Sequence, residues 1–460
     1  MWIHDGAVTK NATKRTAPAL ARRTWVPTDS EDLVQEVASS IATSGNDAID
    51  QQIDELIEWN HRIHEREGIN LNPAANTMNP RAEALLSSGI GVRPSLGHPG
   101  QKYEMGLEAI ERIEILAAEL AAEVFHATHA EVRVGSGALA NLYAFMACAE
   151  PGDAVLVPPA SIGGHVTHHA AGAAGLYGLA VHEAPIDAAA YTLDLDGLAA
   201  AAEQLQPKVI SVGGSLNLGP HDVSGVRAIA DGVGAKVLFD AAHLSGLIAG
   251  GAWPNPLDAG AHVMTMSTYK SLSGPPSGLL VTTDAELSER IDAIAFPGLT
   301  ANFDVAKTAA LAMTLLDWVE HGAAYANAMT AAAQRLAEEL SEREVPVHRL
   351  GDGSATCSHA FALTAGPAGG HGTAEHLRRA NLLTSAIGLP TGLDAGVRIG
   401  TNELVRWGAT VDDMADLADL ISRALSATPE DVQADVQNWR RRFDSIHFVR
   451  GGPVPARSGQ

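Results

Sequence analysis

The stretch LFDAAHLSGLIAGGAWPNPLDAGAHVMTMSTYKSLSGPPSGLLV, residues 238–281, decides the fold. One apolar run in it ends at Asp240. A second ends in Ser267, Thr268, Tyr269 and Lys270 and passes through Ser271 into a Gly-Pro turn, and a third, GLLVTTD (278–284), follows. Outward from it, DAVLVPP (153–159), KVISVGGS (208–215) and AKVLFDAAH (235–243) have the same character, with Ala-rich, helix-like pieces between them. Buried strands alternating with crossover helices predict an α/β domain around a mainly parallel sheet. Sites in such sheets gather at the carboxyl ends of the strands, where the polar residues cluster here.

The remainder of the 460 residues is organised around that domain. Residues 1–45 mix basic, Thr, Pro and Ser residues without sustained periodicity and read as an extension or arm. Ile49, Ile53, Leu56, Ile57 and Ile63 keep the spacing of an amphipathic helix over 49–67. Leu107, Ile110, Ile113, Leu116, Leu120 and Val124 predict a second helix, ending near His126. Residues 305–342 read as a long helix joining the large domain to a smaller C-terminal one, in which GPAGGHGT (366–373) reads as a Gly-rich loop. The expected division is an N-terminal extension and helical arm over 1–70, a large domain over 71–330 and a small α/β domain over 331–460.

Hydrophobic residues make up 46% and charged residues 18%, a globular balance. Lys and Arg total 31 against 54 Asp and Glu, and the net charge of −23 disfavours nucleic acid and anionic membrane surfaces as partners. Cys148 and Cys357 fit neither a disulfide framework nor a metal-ligand spacing, so no metal is expected and a reducing compartment fits. Lys10, Lys14, Arg15, Arg22 and Arg23 precede no apolar core, which argues against a secretory signal. No apolar run approaches the ~20 residues that span a bilayer. A cytoplasmic protein is expected.

The two strand ends carry the chemistry. An enzyme that uses pyridoxal 5'-phosphate (PLP) needs an amine to form a Schiff base with the cofactor's aldehyde. It also needs a carboxylate to keep the pyridine nitrogen protonated, so that the ring becomes an electron sink. Lys270 and Asp240 suit those tasks on neighbouring strand ends facing one crevice. Singly, an Asp at a strand end is more often a helix cap, and a Lys before a turn is more often solvated. Together, inside D-A-A-H-x-S-G and S-T-Y-K-S-L-S-G-P, they favour the cofactor reading.

These segments resemble serine hydroxymethyltransferase, whose pattern is D-x-A-H-x-x-G-L followed by T-T-T-H-K-T-L-x-G-P. The resemblance runs from about Leu71 to Gly408, with HPGQKYEMG (98–106), GSGALAN (135–141), GGHVTHH (163–169), FPG (296–298) and GVRIGT (396–401) in the family's order. It implies the fold type I PLP architecture, aspartate aminotransferase-like, and a homodimer with active sites at the interface. By the same resemblance Ser136, Gly137 and Ala138 match the phosphate-binding S-G-S, one hydroxyl being absent at Ala138. Their place before a helix offers an anion free N–H groups. His165 matches the histidine that stacks on the cofactor ring. Ser215 matches a contact to its phenolic oxygen, His243 the histidine beside that oxygen, and Ser267 a nearby hydroxyl. Lys270, Asp240, His165 and His243 form the implied catalytic set. Arg398 matches the arginine that binds the substrate carboxylate, a task for a planar bidentate donor. Tyr103 matches a tyrosine reaching in from the partner subunit.

Departures fall on the other side of the site. The family's glutamate two residues before the tyrosine of Y-P-G, which serves hydroxymethyl transfer and folate, is Leu96, and that tyrosine is His98. A tyrosine further upstream is Pro94, and the second tyrosine of R-Y-Y-G-G is Glu104. S-E-N appears as Ala74, Ala75 and Asn76, the histidine before the lysine is Tyr269, and the arginine after G-P is Pro276. The cofactor side is kept and the folate and substrate side rewritten, which speaks against ordinary tetrahydrofolate-dependent serine–glycine interconversion. The expected function is a hydroxymethyltransferase-like enzyme making or breaking the Cα–Cβ bond of serine, threonine or an α-substituted serine by retro-aldol or aldol chemistry. An amino acid is then the substrate and an aldehyde the second partner. His98, Glu104 and His165 are the candidate bases on the substrate hydroxyl. The alternatives are a folate-independent threonine aldolase or transaldolase, an amino-acid racemase or transaminase, and a PLP-binding protein that does not catalyse.

Overall fold

Val209–Gly213, Lys236–Asp240 and Val263–Ser267 are strands in which every residue except Lys236 is buried, as strands covered by helices on both faces must be. In the computed structural model, which describes residues 17–455, they form the middle of a seven-stranded sheet. We label its strands β1 (His129–Glu131), β2 (Ala154–Val157), β3 (Ala180–Glu183), β4 (Val209–Gly213), β5 (Lys236–Asp240), β6 (Val263–Ser267) and β7 (Gly278–Thr282). Their spatial order is β1-β7-β6-β5-β4-β2-β3. Neighbours from β6 to β3 run parallel, and β7 is antiparallel to both β6 and β1. This is the mainly parallel sheet expected of a fold type I enzyme. The register sets Asp240 between Gly213 on β4 and Thr265 on β6. Lys270 follows three residues after β6 ends.

The chain divides into two compact units, Met1–Gly68 and Ile69–Gln460. In the first, α1 (Thr28–Thr43) and α2 (Asn46–His61) are helices, and a π-helical turn, Arg62–Glu67, continues α2. The second helix was expected; α1 corrects the reading of 1–45 as aperiodic throughout. Its fastening is polar: Glu31 is buried and accepts from Arg23 Nε at 2.9 Å and Gln35 Nε2 at 2.9 Å. Leu33, Val34, Val37, Ala38, Ile41 and Ala42 keep helical spacing within it, a short period that the reading of 1–45 passed over. Lys10, Lys14 and Arg15 lie outside the described residues.

In the second unit α3 (Glu108–Phe125) ends at His126 in a left-handed turn, and α4 (Gly137–Cys148) leaves the loop after β1. The long helix α5 (Val305–Glu342) packs on α3 and on the helix Met414–Ser426. A three-stranded antiparallel sheet of β8 (Ala360–Thr364), β9 (Ser385–Leu389) and β10 (Gly392–Gly400), in the order β8-β10-β9, places Arg398 between Ala362 and Ser385. The Gly-rich loop expected at 366–373 is another correction, because a helix, Gly369–Arg379, begins inside it. Asp394 Oδ1 accepts from the backbone N–H of His371 at 2.9 Å, a stabilising contact from a distant strand that local composition cannot announce.

Gly213 ends β4 with φ +90°, and a Cβ there would sit 2.3 Å from the carbonyl oxygen of Asp240. Gly213→Ala must therefore displace backbone beside Asp240 as well as adopt a strained φ. We expect a loss of roughly 2–4 kcal/mol in chemical denaturation, together with weakened cofactor binding. A variant as stable as the wild type would contradict this packing.

Candidate active site

Four elements converge on one carboxylate. Asp240 is 3% exposed; its Oδ1 accepts from the N–H of Ala242 at 2.9 Å. Oδ2 lies 3.0 Å from Asn141 Nδ2 on α4 and 2.9 Å from His168 Nε2. Asn141 is oriented in turn, its Nδ2 donating to Thr167 Oγ1 at 2.9 Å and its Oδ1 accepting from Thr265 Oγ1 at 2.6 Å. His168 Nδ1 is 3.1 Å from Ser211 Oγ on β4. A hydroxyl donating there assigns the ring proton to Nε2, which then donates to Asp240. Burial alone would raise the pKa of Asp240, but the hydrogen bonds from His168 and from the Ala242 N–H outweigh it and hold the carboxyl well below its usual range. An anion kept in this way can keep a neighbouring pyridine nitrogen protonated.

Lys270 is 6% exposed, and its Nζ stands 3.1 Å from His243 Nε2. Burial, opposed by Asp240 and assisted by Arg398, lowers its pKa to about 8, so a usable fraction is the nucleophilic free amine near neutrality. Burial, and then the charges of Lys270 and Arg398, push His243 well below its ordinary value and keep it neutral. With Nε2 facing two cations as acceptor, His243 carries its proton on Nδ1, which is buried without a partner among the described residues. A ligand oxygen would relieve that unsatisfied donor.

These groups line a cavity of about 150 Å³ with Ser136, Gly137, Ala138, Asn141, His165, Ser215, Ser267 and Tyr269. Three larger clefts, of about 430, 590 and 420 Å³, hold no comparable convergence of chemistry. Ser136 caps α4, accepting from Leu139 N at 3.2 Å, so the helix start opens on the cavity with further N–H groups available to an anion. A Cβ on Gly137 would meet Ser267 Oγ at 2.1 Å; glycine lets the helix start and the end of β6 pack closely into a cradle at this end of the cavity. Burial lowers His165 to a pKa of about 4, and its Nδ1 accepts from the Thr167 N–H at 3.3 Å, leaving a neutral ring. The orphan His243 nitrogen, the cradle and the amine–carboxylate pair fit PLP.

Arg398 reaches the same region from β10. Its Nη1 donates to Ser215 O at 2.8 Å and its Nε to Ser385 Oγ at 2.8 Å. Nη2 has no hydrogen-bond partner among the described residues. Burial brings its pKa down to about 10, still a cation at neutral pH. His98, Tyr103 and Glu104 are not brought into the cavity of their own chain. His98 is exposed and bonds Asp292 Oδ2 at 2.8 Å, Tyr103 is 83% exposed, and Glu104 accepts from Leu96 N at 3.1 Å. Their loop is anchored by Lys102, whose Nζ donates to Gly97 O at 2.7 Å and pairs with Glu114.

The reading from sequence missed Asn141 and His168, although both sit in quoted motifs. The available signal was polarity out of place: Asn141 is the one polar amide in the apolar helix GALANLYAFMAC, and a buried amide has to find partners.

An amine and a carboxylate on adjacent parallel strand ends, above a helix-start anion cradle, define a fold type I PLP-dependent enzyme. Comparison with known proteins is specific. The family model described as serine hydroxymethyltransferase matches residues 47–421. An α-methylserine aldolase of Variovorax paradoxus is 57% identical over 94% of this chain and 99% of its own length. One of a Ralstonia species is 52% identical over 94% and 100%. A serine hydroxymethyltransferase of Methanopyrus kandleri is 37% identical over 83% and 91%. The chain belongs to the serine hydroxymethyltransferase family, as a divergent member acting with PLP on the Cα–Cβ bond of a β-hydroxy-α-amino acid. Among the described residues no helix is long and apolar enough to cross a membrane.

Two outcomes follow from the site's electrostatics. Asn141→Leu removes a donor from Asp240 and should raise the dissociation constant for PLP about tenfold, measured by titrating apoprotein; an unchanged constant would show that the amide is dispensable. The rate of PLP uptake by apoprotein should climb about tenfold per pH unit up to about 8 and level off above it, because the lowered pKa of Lys270 makes the free amine dominant there. A rate still climbing at pH 10 would contradict that environment.

Proposed function

We propose that the protein is a folate-independent aldolase for α-methylserine, releasing formaldehyde and alanine and running in reverse when both are supplied. The observation that carries this is the likeness to α-methylserine aldolases over 94% of the chain. Leu96 agrees with it: an aliphatic side chain cannot perform the proton work of a glutamate for folate. With a methyl group in place of the Cα hydrogen, the substrate has no Cα–H bond to break, so racemisation and ordinary transamination are closed to it.

Bound PLP supplies the electron sink for the pair left on Cα. In our reading Lys270 holds and releases the cofactor, Asp240 keeps its ring nitrogen protonated, and the Ser136–Ala138 turn binds its phosphate. Arg398 receives the substrate carboxylate on the free Nη2 edge, which orients the Cα–Cβ bond. A base takes the hydroxyl proton as the bond breaks, the hydroxymethyl carbon leaves as formaldehyde, and Cα takes a proton to give alanine. His165 is poorly placed as that base, since a backbone N–H occupies its Nδ1 and the ring proton then sits on Nε2. His98 and Glu104 remain, and in a homodimer with sites at the interface they would act across it, with Tyr103 beside them. We place the enzyme in the cytoplasm, where the free thiols of Cys148 and Cys357 stay reduced.

The test is to incubate holoenzyme with α-methylserine, L-serine and L-threonine, each with and without tetrahydrofolate, and to assay aldehyde and amino-acid products. Formaldehyde and alanine from α-methylserine without folate are expected. Turnover of L-serine alone, and only with folate, would overturn the proposal. Arg398→Ala should lower kcat/KM about 10²- to 10³-fold, and Arg398→Lys should recover little of it; near wild-type kinetics in either would remove Arg398 from carboxylate binding.

A further inference from the structure

Behind Lys270, on the side away from the cavity, a chain of contacts runs to the C-terminal segment. Asn76 Nδ2 lies 3.0 Å from the backbone carbonyl of Lys270 and 3.0 Å from Tyr325 Oη, so its two N–H bonds tie the lysine's own peptide to that phenol. Tyr325 Oη donates to Asn402 O at 2.7 Å. The Tyr325 ring is stacked on Phe448, with centroids 4.9 Å apart and planes 15° from parallel. Trp318 lies 5.3 Å from the same ring and donates from Nε1 to Leu272 O at 2.8 Å, a second hold on the loop that follows Lys270.

The C-terminal segment is itself fastened at this point. Arg406 Nη1 donates to Phe448 O at 2.9 Å, and the N–H of Arg450 donates to Asp317 Oδ1 at 2.9 Å. Asp317 Oδ2 accepts from Asn79 Nδ2 at 2.9 Å. Phe448 has φ +57°, a left-handed conformation that a bulky side chain adopts only where its surroundings enforce it. The segment also lies past residue 421, the last that the family model matches.

We infer that residues 445–455 form a strap that positions the Lys270 loop through α5, with Phe448 of the strap and Tyr325 of the helix as the positioning residues. The inference rests on the reading of Lys270 as the cofactor lysine. The strap touches neither cavity nor substrate; it acts by fixing the peptide from which Nζ is presented to His243. Releasing the Tyr325 ring frees Asn76, and with it the Lys270 carbonyl.

The test compares Phe448→Leu, Phe448→Tyr and Tyr325→Phe with wild-type holoenzyme and with Lys270→Ala. Three readouts are taken: thermal melting, the pH midpoint of the visible band of the lysine-bound cofactor, and the rate of PLP release on dilution. Phe448→Leu and Tyr325→Phe should release PLP at least about fivefold faster and move the band's pH midpoint while the fold stays intact. Phe448→Tyr keeps the stacked ring and should remain within about twofold of wild type. Lower melting temperatures with unchanged midpoint and release would overturn the inference, leaving the strap a purely structural element. Lys270→Ala should abolish the band; if the band survives, the lysine assignment itself fails, and the strap inference with it.

Discussion

A carboxylate buried at the end of a central strand is an expensive object, and the architecture of this site is the arrangement that makes it tolerable. Removing a charge from water costs several kcal/mol unless donors replace the lost solvent. Asp240 draws its donors from Ala242, from Asn141 on α4 and from His168 in the turn after β2, and those are oriented by Ser211 on β4 and Thr265 on β6. The parallel register that sets Asp240 against Gly213 and Thr265 brings these groups within reach. Lys270 inherits its position from the same register, three residues beyond the end of β6. One sheet geometry therefore sets the charge state of the carboxylate and delivers the amine to it.

The groups around Asp240 and Lys270 come from strands and helices of one chain, whereas His98 and Glu104, two positions at which the sequence departs from the family's motifs, sit on a loop outside that cavity. Leu96, His98, Tyr103 and Glu104 occupy a hairpin region anchored at its base by Lys102 and Glu114. Such a division lets substrate chemistry change without disturbing the electron sink.

Legibility followed the same physical lines. Strands buried on both faces announce themselves as unbroken apolar runs, so β2, β4, β5, β6 and β7 could be read to within a few residues, as could the helix over 305–342. Asp240 and Lys270 were readable because they stop such runs. Helix α1 was passed over although Val34, Ala38, Ile41 and Ala42 keep helical spacing, because that short period sits among polar residues and its buried carboxylate, Glu31, is held by Arg23 and Gln35. The helix at 369–379 was hidden because its N-terminal support, Asp394, comes from another strand. Asn141 and His168 were overlooked because their task is defined only by what they face. The stack of Phe448 on Tyr325 joins residues more than a hundred positions apart and leaves no local trace.

The account stands on Lys270 being the residue that holds PLP. Borohydride reduction of the holoenzyme, followed by proteolysis and mass spectrometry, tests this directly. A phosphopyridoxyl group on the single peptide containing Lys270 is the predicted result. The label on another lysine, such as Lys102 or Lys236, or no stable label at all, would contradict it.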